Sequence, residues 1–149
     1  MRRWIFLGLA AIAALLALAF AACEEEGPPA ATPTPTPYAG EVHVDLDEWS
    51  ITVEGQVEGG SVTFEVDNHG AIPHELVILK TDLAANALPV TSGKVDEHAP
   101  GLEEIGEVEE FAGGQTEEGT FQLEAGRYLF ICNIAGHYEQ GMYTEVTVQ

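Results

Sequence analysis

The C-terminal stretch "YLFICNIAGHYEQGM" carries three donor atoms of graded softness at even spacing. Cys132 closes an apolar run, His137 follows after four residues, and Met142 after four more. A thiolate is a strong soft donor, an imidazole is borderline, and a thioether is weak and soft. Each residue also has a plain reading: a buried thiol, a surface histidine after Gly136, and a core methionine. The alternative is one loop that supplies three ligands to a single metal.

Copper is the metal that uses this mixture. A trigonal set of two imidazoles and one thiolate, with a weak axial thioether, suits both of its common oxidation states with little rearrangement. Zinc takes four strong ligands or keeps a water, and neither arrangement needs Met142. A second histidine must therefore come from elsewhere. In "DNHGAIPHELVIL", His74 stands where a turn containing Gly70 and Pro73 meets an apolar run, and such a turn at a strand end holds a ring in place. His69 lies in the turn itself, His43 alternates with Val42 and Val44, and His98 lies in an acidic stretch, so all three read as solvated. Asn68 and Asn133 flank the candidate ligands and are candidates for hydrogen bonds near the site. Tyr38, Trp49 and Tyr143 read as packing residues rather than redox relays.

The elements that must position these residues have a period of two. Val42, Val44 and Leu46 alternate with polar residues, as do Ile51 and Val53, and Val62, Phe64 and Val66. "ELVILK", "TFQLEAG", "RYLFICN" and "YTEVTVQ" are further strands, several of them separated by Gly-rich turns. Many short strands with turn signals predict an all-β antiparallel sandwich or barrel over residues 41–149. Residues 81–118 differ. "TDLAANALP" suits a short helical turn, and the acidic, Gly-punctuated remainder reads as a long excursion over the surface.

The N-terminus reads as a targeting segment. Arg2 and Arg3 precede an uncharged apolar run, Trp4 to Ala22, the pattern of a bacterial-type signal peptide over residues 1–22. "FAAC" resembles a lipoprotein signal in which Cys23 is lipidated; the competing reading is an uncleaved membrane helix. Either places the remainder outside the cytoplasmic membrane. Residues 23–40, with "TPTPTP", form an extended spacer. With Cys23 modified, Cys132 is the one thiol left, and no internal disulfide is possible. The 149-residue chain has 25 acidic and 5 basic residues, a formal charge of −20, which argues against nucleic-acid binding and favours basic partners.

These motifs together resemble the cupredoxins, the blue type 1 copper family of plastocyanin, azurin and auracyanin. "FEVDNHGAIPHE" is similar to the family's region ending in the first ligand, with Asn68, Gly70 and His74 at matching places. "CNIAGHYEQGM" is similar to its C-terminal ligand loop, with a spacing closest to that of auracyanin and sulfocyanin. The resemblance covers residues 41–149. It implies a Greek-key β-sandwich, one type 1 copper held by His74, Cys132, His137 and Met142, and no enzyme activity. It implies a docking patch at the C-terminal histidine, for which Ala71, Ile72, Pro73, Ile134, Ala135 and Gly136 are the candidates. Glu75 departs from the Asn or Asp that ties the two ligand loops in the family. The expected function is a membrane-tethered, monomeric carrier of single electrons between extracytoplasmic redox proteins, a cytochrome or an oxidase subunit with a basic docking surface. A periplasmic copper chaperone or store is the alternative, although such proteins expose Met or His clusters and this chain has only Met1 and Met142. A metal-free scaffold sandwich is a further competitor.

Overall fold

The computed structural model describes residues 38–149. The signal peptide, the lipidation site Cys23 and most of the spacer lie outside the described residues. Among the described residues, ten strands form two four-stranded sheets and a small hairpin. The first sheet has the order β2 (Ser50–Val53), β1 (Tyr38–Asp47), β3 (Gly60–Asn68), β8 (Thr116–Leu123). The second has the order β10 (Tyr143–Val148), β9 (Gly126–Ile131), β4 (His74–Thr81), β7 (Leu102–Phe111). The hairpin pairs β5 (Val90–Thr91) with β6 (Lys94–Val95). Strand pairing starts at Tyr38, three residues before the boundary placed at Glu41, because β1 runs parallel to β3 from that point.

The alternating residues of the first sheet and one face of the second meet between the sheets. Val42, Val44, Leu46, Val62, Phe64 and Val66 face Leu76, Ile78, Tyr128, Phe130, Val146 and Val148 in one buried cluster. Phe64 and Phe130 pack edge to face across the sheets, 5.2 Å between centroids. Each such buried ring contributes about 2–3 kcal/mol from apolar area alone, so these side chains make a stiff base for the strand ends.

The excursion expected over 81–118 is corrected by this architecture. Residues 102–111 are β7, an edge strand of the second sheet, and 116–118 open β8. In "LEEIGEVEEF" most side chains are exposed, and a glutamate-rich strand pairing only with β4 is one way to protect a sheet edge from further pairing. Residues 82–101 cover the outer face of the second sheet. Leu88 and Val95 are buried there against Val77, Leu79, Leu129 and Ile131. This explains the apolar run in β4, which is covered on both faces. The "TDLAANALP" segment makes a turn closed by Ala87 N–H to Ala84 O, not a helix. The one helical element among the described residues is a 3₁₀ turn at Tyr138–Gln140.

Candidate metal centre

The candidate ligands sit on two loops at one end of the sandwich. The first loop leaves β3 at Asn68 and enters β4 at His74. Asn68 is buried and its side chain staples this loop: Nδ2 donates to Ile72 O and Phe111 O, both at 3.1 Å, and Oδ1 accepts from Gly70 N at 3.0 Å. Gly70 is required by close approach. A Cβ there would lie 2.9 Å from His74 Nε2 and 3.1 Å from Asn68 Oδ1. The second loop leaves β9 after Ile131. Met142 O accepts from Cys132 N at 3.1 Å, and Met142 N donates to His137 O at 3.1 Å. These bonds fold the loop so that both ends of the Cys–His–Met spacing return to one place. Gly136, at φ 87°, makes a left-handed turn that most side chains make only with strain.

The side chains converge as the spacing predicts. Cys132 Sγ lies 3.3 Å from His137 Nδ1 and 3.8 Å from His74 Nδ1, and the two Nδ1 atoms are 3.3 Å apart. All three residues are buried. A point equidistant from the three atoms lies roughly 2 Å from each, within the range of metal–imidazole and metal–thiolate bonds. Met142 is fully buried beside them in the chain fold. Three donor atoms facing one another in a buried pocket share too few protons to satisfy all their lone pairs, and a cation at their centre satisfies all of them. His74 Nε2 is buried with no hydrogen-bond partner among the described residues, so none of their polar groups draws the ring away from this triangle. The residues therefore fit a copper ion of the type 1 kind.

The electrostatics agree. Burial pushes the Cys132 thiol up to about 11, against the opposing amides of Glu75 and Ile134. Burial lowers His74, helped by the neighbouring His137, and burial also lowers His137. Both imidazoles are thus held neutral, with lone pairs available, and the thiolate forms only when a cation compensates it.

Residues 50–149 match the sulfocyanin (SoxE) domain family. The chain belongs to that family. Its relatives include sulfocyanin of Sulfolobus acidocaldarius, 30% identical over 88 residues, covering 57% of this chain and 44% of that protein. They also include the copper-resistant cuproprotein CopI of Rubrivivax gelatinosus, 35% identical over 107 residues, covering 70% of this chain and 59% of that protein. The chain thus spans about half the length of the curated relatives it matches. Among solved structures, reduced auracyanin of Roseiflexus castenholzii superposes with a TM-score of 0.54 at 21% identity, covering 74% of this chain and 97% of that one. Auracyanin B gives 0.54 at 22% identity, covering 79% and 92%. Both share the cupredoxin sandwich. Cupredoxins hold one type 1 copper and are electron carriers, not enzymes.

This member of the sulfocyanin family bolts its ligand loop to residues 82–101. Asn133 Oδ1 accepts from Val95 N at 2.6 Å, and its Nδ2 donates to Val95 O at 3.1 Å and Glu97 Oε1 at 2.5 Å. Gly136 N donates to Gly93 O at 2.8 Å. The Tyr138 hydroxyl accepts from Leu88 N and donates to Ala85 O. Glu75 is half-buried, and burial raises its carboxyl while the main-chain amide of Asn133 and Lys94 oppose the rise. Ala71, Ile72, Pro73 and Ala135 are exposed, whereas Ile134 and Gly136 are half-buried.

Trp49, expected to be a packing residue, packs at the surface rather than in the core. It is 37% exposed and sits edge-on to His137, 5.1 Å between centroids and 90° between planes. It lies in the β1–β2 turn, some ninety residues before its partner, with no spacing pattern to link them. Tyr143 is half-buried and packs against Tyr138. His43, His69 and His98 are exposed as expected. His43 and His69 do join two exposed groups with Glu65, Asp67 and Asp45 on the outer face of the first sheet. Polar contacts at 3.0 Å from His43 to Glu65 and from His69 to Asp45 already occupy these rings.

Proposed function

We propose that this protein is a membrane-tethered carrier of single electrons, in which His74, Cys132 and His137 are the strong equatorial copper ligands and Met142 the weak axial one. The observation that carries this reading is the buried triangle of two Nδ1 atoms and one Sγ, with sides of 3.3 to 3.8 Å. Bound copper supplies a one-electron couple. The protein's part is to keep its ligands still while charge changes, which lowers the cost of electron transfer. Cys132 is held at the end of a buried strand, His74 at the start of another, and the loop between Cys132 and Met142 is closed by its own backbone bonds. Burial excludes water from the ligand atoms.

Proteins of the sulfocyanin and auracyanin kind are extracytoplasmic. The apolar N-terminus followed by Cys23 supports a lipid tether, with the Pro/Thr-rich spacer holding the domain off the membrane. Among the described residues no helix is long and apolar enough to cross a membrane. Ala71, Ile72, Pro73 and Ala135, flanked by Ile134 and Gly136, form the docking patch beside His137. The acidic surface steers a basic partner toward it, a cytochrome or an oxidase subunit. The protein acts as a monomer. Stopped-flow electron transfer to such a partner tests the patch: Ile72→Asp and Ala135→Asp slow the second-order rate, and an unchanged rate refutes the docking site.

A copper-handling role is the second reading, favoured by the likeness to a copper-resistant cuproprotein. A carrier retains copper through repeated reduction and oxidation in the presence of a Cu(I) chelator. A chaperone loses it on the first reduction.

A further inference from the structure

We propose that the β1–β2 turn is a lid on the metal centre, with Trp49 covering His137 and holding its ring beside Cys132. Resting on the copper reading above, this assigns a positioning role to a residue outside the ligand set.

The turn is built for something other than turning. Asp47 pairs with Ser50, so Glu48 and Trp49 are the two residues of a tight hairpin connection. Trp49 has φ 69°, the left-handed region, where glycine or asparagine is at ease and a bulky aromatic is strained. Strain of this kind persists only where the surroundings hold it. Two contacts do so. Glu48 Oε1 accepts from Ala71 N at 2.5 Å, which fastens the turn to the His74 loop. The Trp49 indole meets the His137 ring edge to face at 5.1 Å, which fastens it to the Cys132–Met142 loop. The turn therefore spans both ligand loops. Trp49 and Ile72 are the large apolar side chains that stand exposed among the described residues, yet His137, on the inner side of Trp49, is only 8% exposed. The indole thus takes the solvent exposure that a histidine at this loop would otherwise have. With His137 Nδ1 3.3 Å from Cys132 Sγ, any swing of the imidazole opens a path to the thiol.

The test uses the full chain in detergent, with Trp49→Gly and Trp49→Phe. Glycine suits the turn's backbone, so Trp49→Gly removes the lid without straining the fold, and phenylalanine keeps an aromatic edge over His137. In the metal-free protein, iodoacetamide labelling of Cys132, followed on its own peptide by mass spectrometry, rises about five- to tenfold in Trp49→Gly, as losing one edge-to-face contact implies. It stays near the wild-type rate in Trp49→Phe. The urea midpoint of Trp49→Gly does not fall, which separates local opening from global unfolding. In the copper-loaded protein, transfer of Cu(II) to EDTA accelerates by a similar factor. Wild-type labelling and release rates in Trp49→Gly overturn the lid. So does faster labelling matched by a lower urea midpoint. If the wild type takes up no Cu(II) while Trp49→Gly still labels faster, the lid stands and the copper reading fails.

Discussion

Asn68→Ala removes the staple of the His74 loop, and its cost follows from the bonds it makes. The bond to Phe111 O is buried, so losing its donor strands a carbonyl away from water, at about 2 kcal/mol. The bonds to Ile72 O and from Gly70 N are part-buried, so water replaces some of each, and their loss costs about 0.5–1 kcal/mol apiece. The total is about 3 kcal/mol. For a domain of this size, with a urea slope of about 2 kcal/mol/M, the midpoint falls by about 1.5 M. Urea unfolding of the metal-free protein, followed by far-UV circular dichroism, reads this directly. Asn68→Asp keeps the acceptor for Gly70 N but sets a buried carboxylate oxygen against the carbonyls of Ile72 and Phe111, and falls by more than Asn68→Ala. Both variants also bind Cu(II) more weakly, since His74 loses its anchored approach. A loss below about 1 kcal/mol in Asn68→Ala, or equal losses in the two variants, refutes the stapling argument.

Three further outcomes follow from the same geometry. On the acid side, His74 and His137 are held below the usual imidazole value, so the unfolded chain binds protons there first. The stability these two histidines contribute is therefore flat above about pH 6.5 and falls as pH drops below it; urea midpoints of the metal-free protein across pH check this, and a midpoint that holds or rises into acid contradicts it. On the alkaline side, burial pushes the folded Cys132 thiol up to about 11 while the unfolded thiol ionises earlier, near its ordinary 9.0, so stability falls as pH rises between those values. The loss attributable to this thiol is about 2–3 kcal/mol at most, and Cys132→Ala removes that alkaline component; an unchanged alkaline slope in the variant refutes it. Gly70→Ala drives a methyl against His74 Nε2 and Glu48 Oε1, each 2.9 Å from the new Cβ. Copper affinity by competitive titration drops about tenfold or more, and wild-type affinity would mean the loop yields freely.

The strands and the candidate ligands that converge were readable because each rests on a local signal. Val62, Phe64 and Val66 alternate because one face of β3 is buried, and Cys132, His137 and Met142 share one loop whose spacing survives as geometry. His74 was readable because a turn meets an apolar run there. Strand β7 was not, since an edge strand defended by Glu103, Glu104, Glu109 and Glu110 looks like solvated chain. The role of residues 82–101 was hidden for a different reason. Leu88 and Val95 are sparse apolar residues in a polar stretch, and only the double burial of β4 shows what they cover. Trp49 and Glu48 were missed because their partners are distant in sequence: the parallel pairing of β1 with β3 brings Ala71 to the turn, and the packing of the two sheets brings His137. Asn133 was picked out for its place beside Cys132, yet its bonds to Val95 could not be foreseen without knowing that the excursion folds back over the sheet.

The most direct test of the whole account is a Cu(II) titration of the reduced, metal-free full chain, read in the visible spectrum. An intense thiolate-to-copper charge-transfer band that saturates at one equivalent, and vanishes in Cys132→Ala, is the predicted result. No such band with Cys132 reduced, or the same band in Cys132→Ala, contradicts it.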